Sequence, residues 1–370
     1  MGREDLMTGK TAIFTGVRKP FEIREYEIPK AEPKGALIKV SLANLCGSDL
    51  HMWRGESPFP AGIVGGHEMT GRIESLGSDL RTDSAGKPLR EGDRVVCTYF
   101  MFCGACKPCL QGRRTACQNK FKYWTAPAET PPHFRGAYGE FYYSPPGNSI
   151  FRVPDSLSDE MVAAANCALS QVLYGLSEAS LRLDDVVAIQ GAGGLGINCA
   201  AVAKEMGARL VIVLDRSPVR LQLAKEFGAD RVINVSEFKE SKEIVARVRE
   251  LTDGQGADVV MGLVGLPSSL PEGLRMLAPG GRLVEIGNVG IGATVPIDPG
   301  YMVLRGLSLK TVVCYEPWAL GAALEFLDRT REKLPFGRVL SHKFPFEKIN
   351  EAFEKADPGK IVRASLVFGG

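Results

Sequence analysis

No run of about 18 consecutive apolar residues occurs in the sequence, so no transmembrane helix is expected. Neither sign of charge dominates. Lys+Arg at 45 against Asp+Glu at 43 gives +2, which leaves no general electrostatic footprint for nucleic acid or an anionic membrane. The opening residues, Met1-Gly2-Arg3-Glu4-Asp5-Leu6, are charged and lack the apolar core of a signal peptide. Low-complexity segments and internal repeats are also missing. These absences exclude membrane and nucleic-acid partners as expectations and point to a reducing, cytoplasmic setting. Histidine is scarce, four in 370 residues, so a pair of them beside other ligand-type side chains carries information.

Cysteine is well represented. Of nine, four fall at Cys103, Cys106, Cys109 and Cys117. Two gaps of two residues and one of seven put four thiolates on one short lobe, the donor set of a tetrahedral, closed zinc site. A closed site has no open position, so this metal is expected to brace a loop and do no chemistry. Disulfides would need an oxidising compartment that nothing in the chain suggests.

With 370 residues the chain has room for about two domains. Residues 11–45 read as strands punctuated by Gly and Pro: Thr11–Phe14, Phe21–Tyr26 and Ala36–Leu42. Strand character returns at 71–77, 92–97 and 136–143, so this part reads as an antiparallel β domain. Within it lie Cys46-Gly47-Ser48-Asp49-Leu50-His51 and Gly65-Gly66-His67-Glu68. A thiolate and an imidazole suit zinc, and the carboxylates Asp49 and Glu68 could orient ligands or exchange with them. Taken singly, a cysteine is more often a buried apolar residue and a histidine a satisfied one. Residues 121–134 form a loop rich in aromatic residues and proline.

From about 185 the pattern changes. The apolar run Val186–Gln190 leads straight into Gly191-Ala192-Gly193-Gly194-Leu195-Gly196, and Ile197–Met206 reads as a helix. Strand before and helix after are what turn this glycine pattern into a dinucleotide-binding signature. The next strand, Arg209–Leu214, ends in Asp215, at the distance expected of the acid that binds an adenosine ribose. Further strands at 231–235, 257–264, 282–286 and 307–313 alternate with helices, which predicts a six-stranded doubly wound parallel sheet. The Asp215 carboxylate would repel a 2′-phosphate, so NAD is favoured over NADP, although Arg216 and Arg220 stand nearby. A helix over 316–331 and a strand over 360–368 are expected to rejoin the first domain.

The order of these motifs resembles the zinc-dependent alcohol dehydrogenases of the medium-chain dehydrogenase/reductase superfamily. The likeness rests on the Cys46–His51 and Gly66–Glu68 segments, the four-cysteine lobe, Gly136-Ala137-Tyr138-Gly139-Glu140-Phe141, and the glycine turn with Asp215. The resemblance implies an α/β chain made of a GroES-like β-rich catalytic domain, residues 1–168 and 314–370, interrupted by a Rossmann domain, residues 169–313. It implies two zinc ions per chain. One is structural. The other is catalytic, on Cys46, His67 and, from Ala164-Ala165-Asn166-Cys167, Cys167 as third ligand. Further implied roles are Asp49 behind the His67 imidazole, Glu68 behind the metal, a proton path through Ser48 and His51, Arg363 on the cofactor pyrophosphate and Arg220 near the ribose. Gly47 departs from members that carry a pyrophosphate-binding arginine there. Tyr99 and Trp53 lie where pocket walls are expected, and with Phe121, Tyr123, Trp124 and Phe134 suggest an apolar pocket for a cyclic or aromatic alcohol. The implied activity is hydride transfer between an alcohol and NAD, in a homodimer or homotetramer. A polyol, threonine or other secondary-alcohol dehydrogenase is the alternative, and a non-catalytic NAD-binding protein a remote one.

Overall fold

The structure is a computed structural model and describes residues 7–162, 164–340, 342–357, 361 and 363–369. Two compact units divide the chain: Met1–Cys167 with Glu316–Glu332 and Phe336–Gly370, and Ala168–Tyr315 with Lys333–Pro335. Lys360 and Val362 of the expected last strand lie outside the described residues; its described part is Ala364–Val367.

The first unit is β-rich. Its larger sheet runs, in spatial order, His342–Pro345, Ala364–Val367, Ala36–Asn44, Glu68–Leu76, Arg94–Cys97 and Ile150–Arg152, with Phe141–Ser144 also pairing to Ala36–Asn44. The central strand Ala36–Asn44 buries alternate residues Ala36, Ile38 and Val40 in one cluster with Phe21, Ile73, Val95, Tyr138, Phe353 and Leu366. Antiparallel register sets Asn44 opposite Glu68 on one side and opposite Ser365 on the other. Leu45 and Cys46 follow directly after Asn44, and His67 directly precedes Glu68. Register therefore delivers two chemically active side chains to the same end of the sheet. A smaller sheet pairs Glu22–Glu27, Thr8–Phe14 and Ile63–Val64.

The second unit is a sheet of six parallel strands: Val186–Gln190, Leu210–Asp215, Arg231–Asn234, Ala257–Gly262, Leu277–Glu285 and Ser308–Thr311. Numbered in that chain order, they lie as 3-2-1-4-5-6, the arrangement of dinucleotide-binding sheets. Val186–Gln190 is buried along its whole length, as a central parallel strand must be. The order reverses beside this strand, which marks the crevice at its carboxyl end as the ligand site of such a sheet.

Candidate active site and metal centres

Cys46 caps the helix Gly47–Arg54, and Asp49 is the third residue of that helix. The Asp49 Oδ2 accepts from the Cys46 N–H at 2.8 Å, while Oδ1 lies 3.2 Å from His67 Nδ1. One buried carboxylate thus ties both side chains. Its bond to Nδ1 leaves Nε2 free as a donor atom, the usual way a histidine ligand is oriented. Cys167 arrives from a π-helical turn, Ala165–Leu169, a conformation common at functional sites. Asn166 in that turn donates from Nδ2 to the carbonyls of His67 at 2.8 Å and Cys97 at 2.9 Å, which pins the turn to the sheet.

The resulting cluster is compact. Sγ of Cys46 and Cys167 are 3.9 Å apart, and His67 Nε2 is 3.3 Å from Cys167 Sγ. Zinc–ligand bonds of about 2.3 Å to sulfur and 2.0–2.1 Å to nitrogen give tetrahedral edges of about 3.8 and 3.6 Å. A disulfide needs about 2.05 Å. The donors are therefore spaced for a soft metal and not for oxidation. The electrostatics agree. Cys46 is held well below the ordinary thiol range by the Cys167 S–H and by His67, whereas Cys167 is pushed well above it by the Cys46 anion and by burial. Two thiolates this close coexist only with a cation between them.

Glu68 lies directly behind, its carboxylate within 4.8 Å of the other three donor atoms. Burial and the nearby Cys46 raise it to about 8, against the opposing pull of Arg363. Asn44 Nδ2 donates to Glu68 Oε2 at 3.2 Å, and Ser365 Oγ donates to Asn44 Oδ1 at 2.7 Å. Arg363 completes this row. The resemblance assigned it to a cofactor pyrophosphate; in the structure its side chain is buried and ion-paired with Glu68 Oε1.

Ser48 Oγ lies 3.5 Å from His67 Nε2. His51 follows three positions later on the same helix, half-buried, with Nδ1 against the Glu56 carboxylate. Aromatic rings wall the cluster: Tyr99 is 4.8 Å and Trp124 5.4 Å from the His67 ring, and Phe59 and Phe121 pack on Trp124 at 5.1 and 6.2 Å. Three other expected wall residues go elsewhere. Trp53 donates to Lys19 O and packs on Phe353. Tyr123 donates to Tyr143 O, and Phe134 is fully buried against Phe141. Phe59 carries no motif, and only the fold shows its place.

The four lobe cysteines gather as their spacing predicts. Sγ of Cys117 lies 3.6 Å from that of Cys103 and 3.8 Å from that of Cys106, again tetrahedral-edge lengths, and Cys109 completes the set. The Asn119 amide and the backbone N–H groups of Ala105 and Cys106 lower Cys103 to about 6, so the thiolate form needed for a ligand is favoured before any metal arrives. By contrast, burial pushes Cys97 up to about 12, which leaves it an inert core thiol.

In the second unit, Gly191 takes φ +99 and the helix Gly194–Glu205 starts with no side-chain cap. A Cβ on Gly193 would meet nothing within 4 Å, so there is room beside the uncapped start of the helix. A phosphate suits such a helix end. A Cβ on Gly196 would lie 1.8 Å from the Gly191 carbonyl oxygen, so only glycine closes the turn. Asp215 Oδ2 accepts from Ala192 N at 2.7 Å and Oδ1 from Ser217 N at 2.8 Å, which ties the acid to the turn. Leu195 is half-buried, Arg216 exposed and Arg220 half-buried.

A dinucleotide-type sheet and a Cys/His/Cys donor set, each within its own unit, define a class: oxidoreductases that bind a nicotinamide cofactor and zinc. Comparison with known proteins narrows it. Residues 194–329 match the zinc-binding dehydrogenase family and residues 32–155 the alcohol dehydrogenase GroES-like domain. The chain is 32% identical over 347 residues to 5-exo-hydroxycamphor dehydrogenase of Pseudomonas putida, covering 92% of this chain and 94% of that protein. Its fold superposes on an alcohol dehydrogenase from Thermotoga maritima with a TM-score of 0.90 at 27% identity, covering 98% of this chain and 100% of the other. An alcohol dehydrogenase of Escherichia coli CFT073 solved with NADH gives 0.80 at 25% identity, covering 98% and 99%. The chain belongs to the zinc-dependent alcohol dehydrogenases of the medium-chain dehydrogenase/reductase superfamily, with a GroES-like domain and a Rossmann domain, and is an oxidoreductase. Among the described residues no helix is long and apolar enough to cross a membrane.

Proposed function

We propose that this enzyme interconverts an apolar, cyclic secondary alcohol and its ketone, with NAD as hydride acceptor and two zinc ions per chain. The observation that carries this reading is the three-donor set of Cys46, His67 and Cys167 beside a hydroxyl and a wall of aromatic rings. Three protein donors leave a fourth tetrahedral position for substrate. Zinc held there would polarise the substrate oxygen as a Lewis acid. Ser48 Oγ, beside His67, is the hydroxyl that accepts the alcohol proton. His51, one turn along the helix and half-buried, returns it to solvent. Tyr99, Phe121 and Trp124 exclude water and hold an apolar ring by contact. Glu68, poised near neutrality and anchored by Arg363 and Asn44, supplies a carboxylate behind the donors.

The glycine turn, the open helix end and Asp215 support NAD in the second unit, because the carboxylate accepts from ribose hydroxyls and repels a 2′-phosphate. A cyclic substrate also fits the relative 5-exo-hydroxycamphor dehydrogenase, whose name denotes a cyclic alcohol. A panel of primary, secondary, cyclic and polyol alcohols, each run with NAD and NADP beside metal analysis, tests all three parts. About two zinc ions per chain, NADH formation and the highest kcat/KM on cyclic secondary alcohols are expected. One zinc per chain with no turnover on any alcohol would overturn the catalytic reading.

A further inference from the structure

We propose that Tyr138 is a positioning residue of the three-donor site: its hydroxyl fixes the Asp49 carboxylate and, through it, the presentation of His67 Nε2 to the metal. The inference rests on the metal reading of Cys46, His67 and Cys167 given above, and concerns a side chain that is not one of those three donors.

The argument starts from the two glycines directly before His67. A Cβ on Gly66 would lie 2.5 Å from two ring atoms of Tyr138, and one on Gly65 2.8 Å from a third. Gly66 also has φ +77, which favours glycine on backbone grounds alone. The segment that carries His67 is thus moulded around the Tyr138 ring. Backbone bonds repeat the link, Tyr138 N to Gly65 O at 2.9 Å and Ala137 N to Gly66 O at 3.0 Å. Edge-to-face contacts with Phe21 at 6.1 Å and Phe353 at 6.0 Å hold the ring from other sides. Tyr138 is fully buried, so its hydroxyl must find its hydrogen-bond partners inside the protein.

That hydroxyl reaches Asp49 Oδ2 at 2.9 Å and the Asn44 carbonyl oxygen at 3.3 Å. It has one proton to donate. The closer, charged acceptor takes it, since bonds to a carboxylate are roughly twice as strong as neutral ones. Asp49 then has three donors: His67 on Oδ1, and Cys46 N–H with Tyr138 O–H on Oδ2. Tyr138 is the only one of the three that is neither a metal ligand nor part of one. Without it the carboxylate keeps its two ligand-side bonds but loses the fixed point from which both are held. Groups that orient a ligating histidine typically account for ten- to hundred-fold in metal affinity.

Tyr138→Phe removes the hydroxyl and leaves the ring in its slot. The test measures zinc affinity of the three-donor site by chelator competition, and the visible absorption of that site loaded with cobalt, with the four-cysteine lobe as internal reference. The expected result is about ten- to hundred-fold weaker metal binding and altered cobalt bands, with lobe metal retained. The loss should disappear in an Asp49→Ala background, because the hydroxyl acts through that carboxylate. Unchanged affinity and spectrum would overturn the proposal. So would an equal loss in the Asp49→Ala background, which means packing alone, or loss of lobe metal as well, which means general unfolding. If the wild-type chain takes no metal at the three donors, the functional reading itself fails, an outcome distinct from each of these.

Discussion

Two of the nine cysteines can be told apart only by what surrounds their sulfur. Cys46 is a thiolate-forming helix cap beside an imidazole, while Cys97 is a buried thiol raised to about 12. The chemistry follows the neighbours, not the residue type. Cys46→Ala removes one of three donors from the open site and leaves the lobe and the nucleotide turn intact. Zinc content should fall from about two to about one per chain and turnover should be abolished, while titration with NAD followed by fluorescence still shows binding. Loss of NAD binding as well would mean that the two halves do not act separably. Cys46 and His67 stood out in the sequence only through the resemblance to a family pattern, since each taken singly reads as an ordinary residue. The Tyr138 hydroxyl, the Asn44–Ser365 pair and Phe59 were not, because their neighbours are 89, 321 and 65 residues away and meet only through sheet register and loop packing. Arg363 shows the converse. Its motif position suggested a phosphate, but no pattern of sequence reveals that a buried carboxylate lies beside it.

At the scale of elements, strand–turn–helix from Val186 to Glu205 was readable throughout, because apolar strand, glycine turn and helix are local. The turn closes only without a Cβ at its last glycine. Gly196→Ala forces carbon to within 1.8 Å of the Gly191 oxygen, so the turn must open. A stability loss of about 3 kcal/mol or more and loss of NAD binding are expected, read by thermal unfolding and by nucleotide titration. The sheet holds a second feature that no motif announces. Glu285, at the carboxyl end of its strand, is buried, and one oxygen accepts from Asn288 N at 2.9 Å. Burial raises it above the usual carboxylate range. A raised folded-state pKa binds the proton more tightly than the unfolded chain does. The stability it contributes is full at acid pH and declines as pH rises through the folded-state value. Glu285→Gln does not titrate, so the melting temperature of the variant minus that of the wild type should increase from about pH 4 to pH 8. A difference independent of pH would show that folding leaves the proton affinity of this carboxyl group unchanged.

For the whole molecule, the second unit leaves an edge that asks for a partner. Its last strand, Ser308–Thr311, pairs only with Leu277–Glu285 among the described residues, and all four of its residues are exposed. Leu309 and Val313 are 37% and 48% exposed, and on the preceding helix Val303 and Leu304 reach 79% and 88%. An unpaired edge with apolar side chains is one that soluble proteins normally blunt with charge or cover with another chain. Lys310 alone supplies a charge on this strand, and it pairs with Glu178. We therefore expect a second copy to cover this edge, strand against strand, in a symmetric homodimer whose contact patch is the same on both copies. Light scattering behind gel filtration should give at least twice the chain mass. Leu309→Lys with Val313→Lys puts like charges across the two-fold contact and should shift the population to monomer, with zinc content per chain unchanged because both metal sites lie in the first unit. A double variant that stays dimeric would place the interface elsewhere. A wild-type monomer would leave the apolar edge strand to be explained by a different partner.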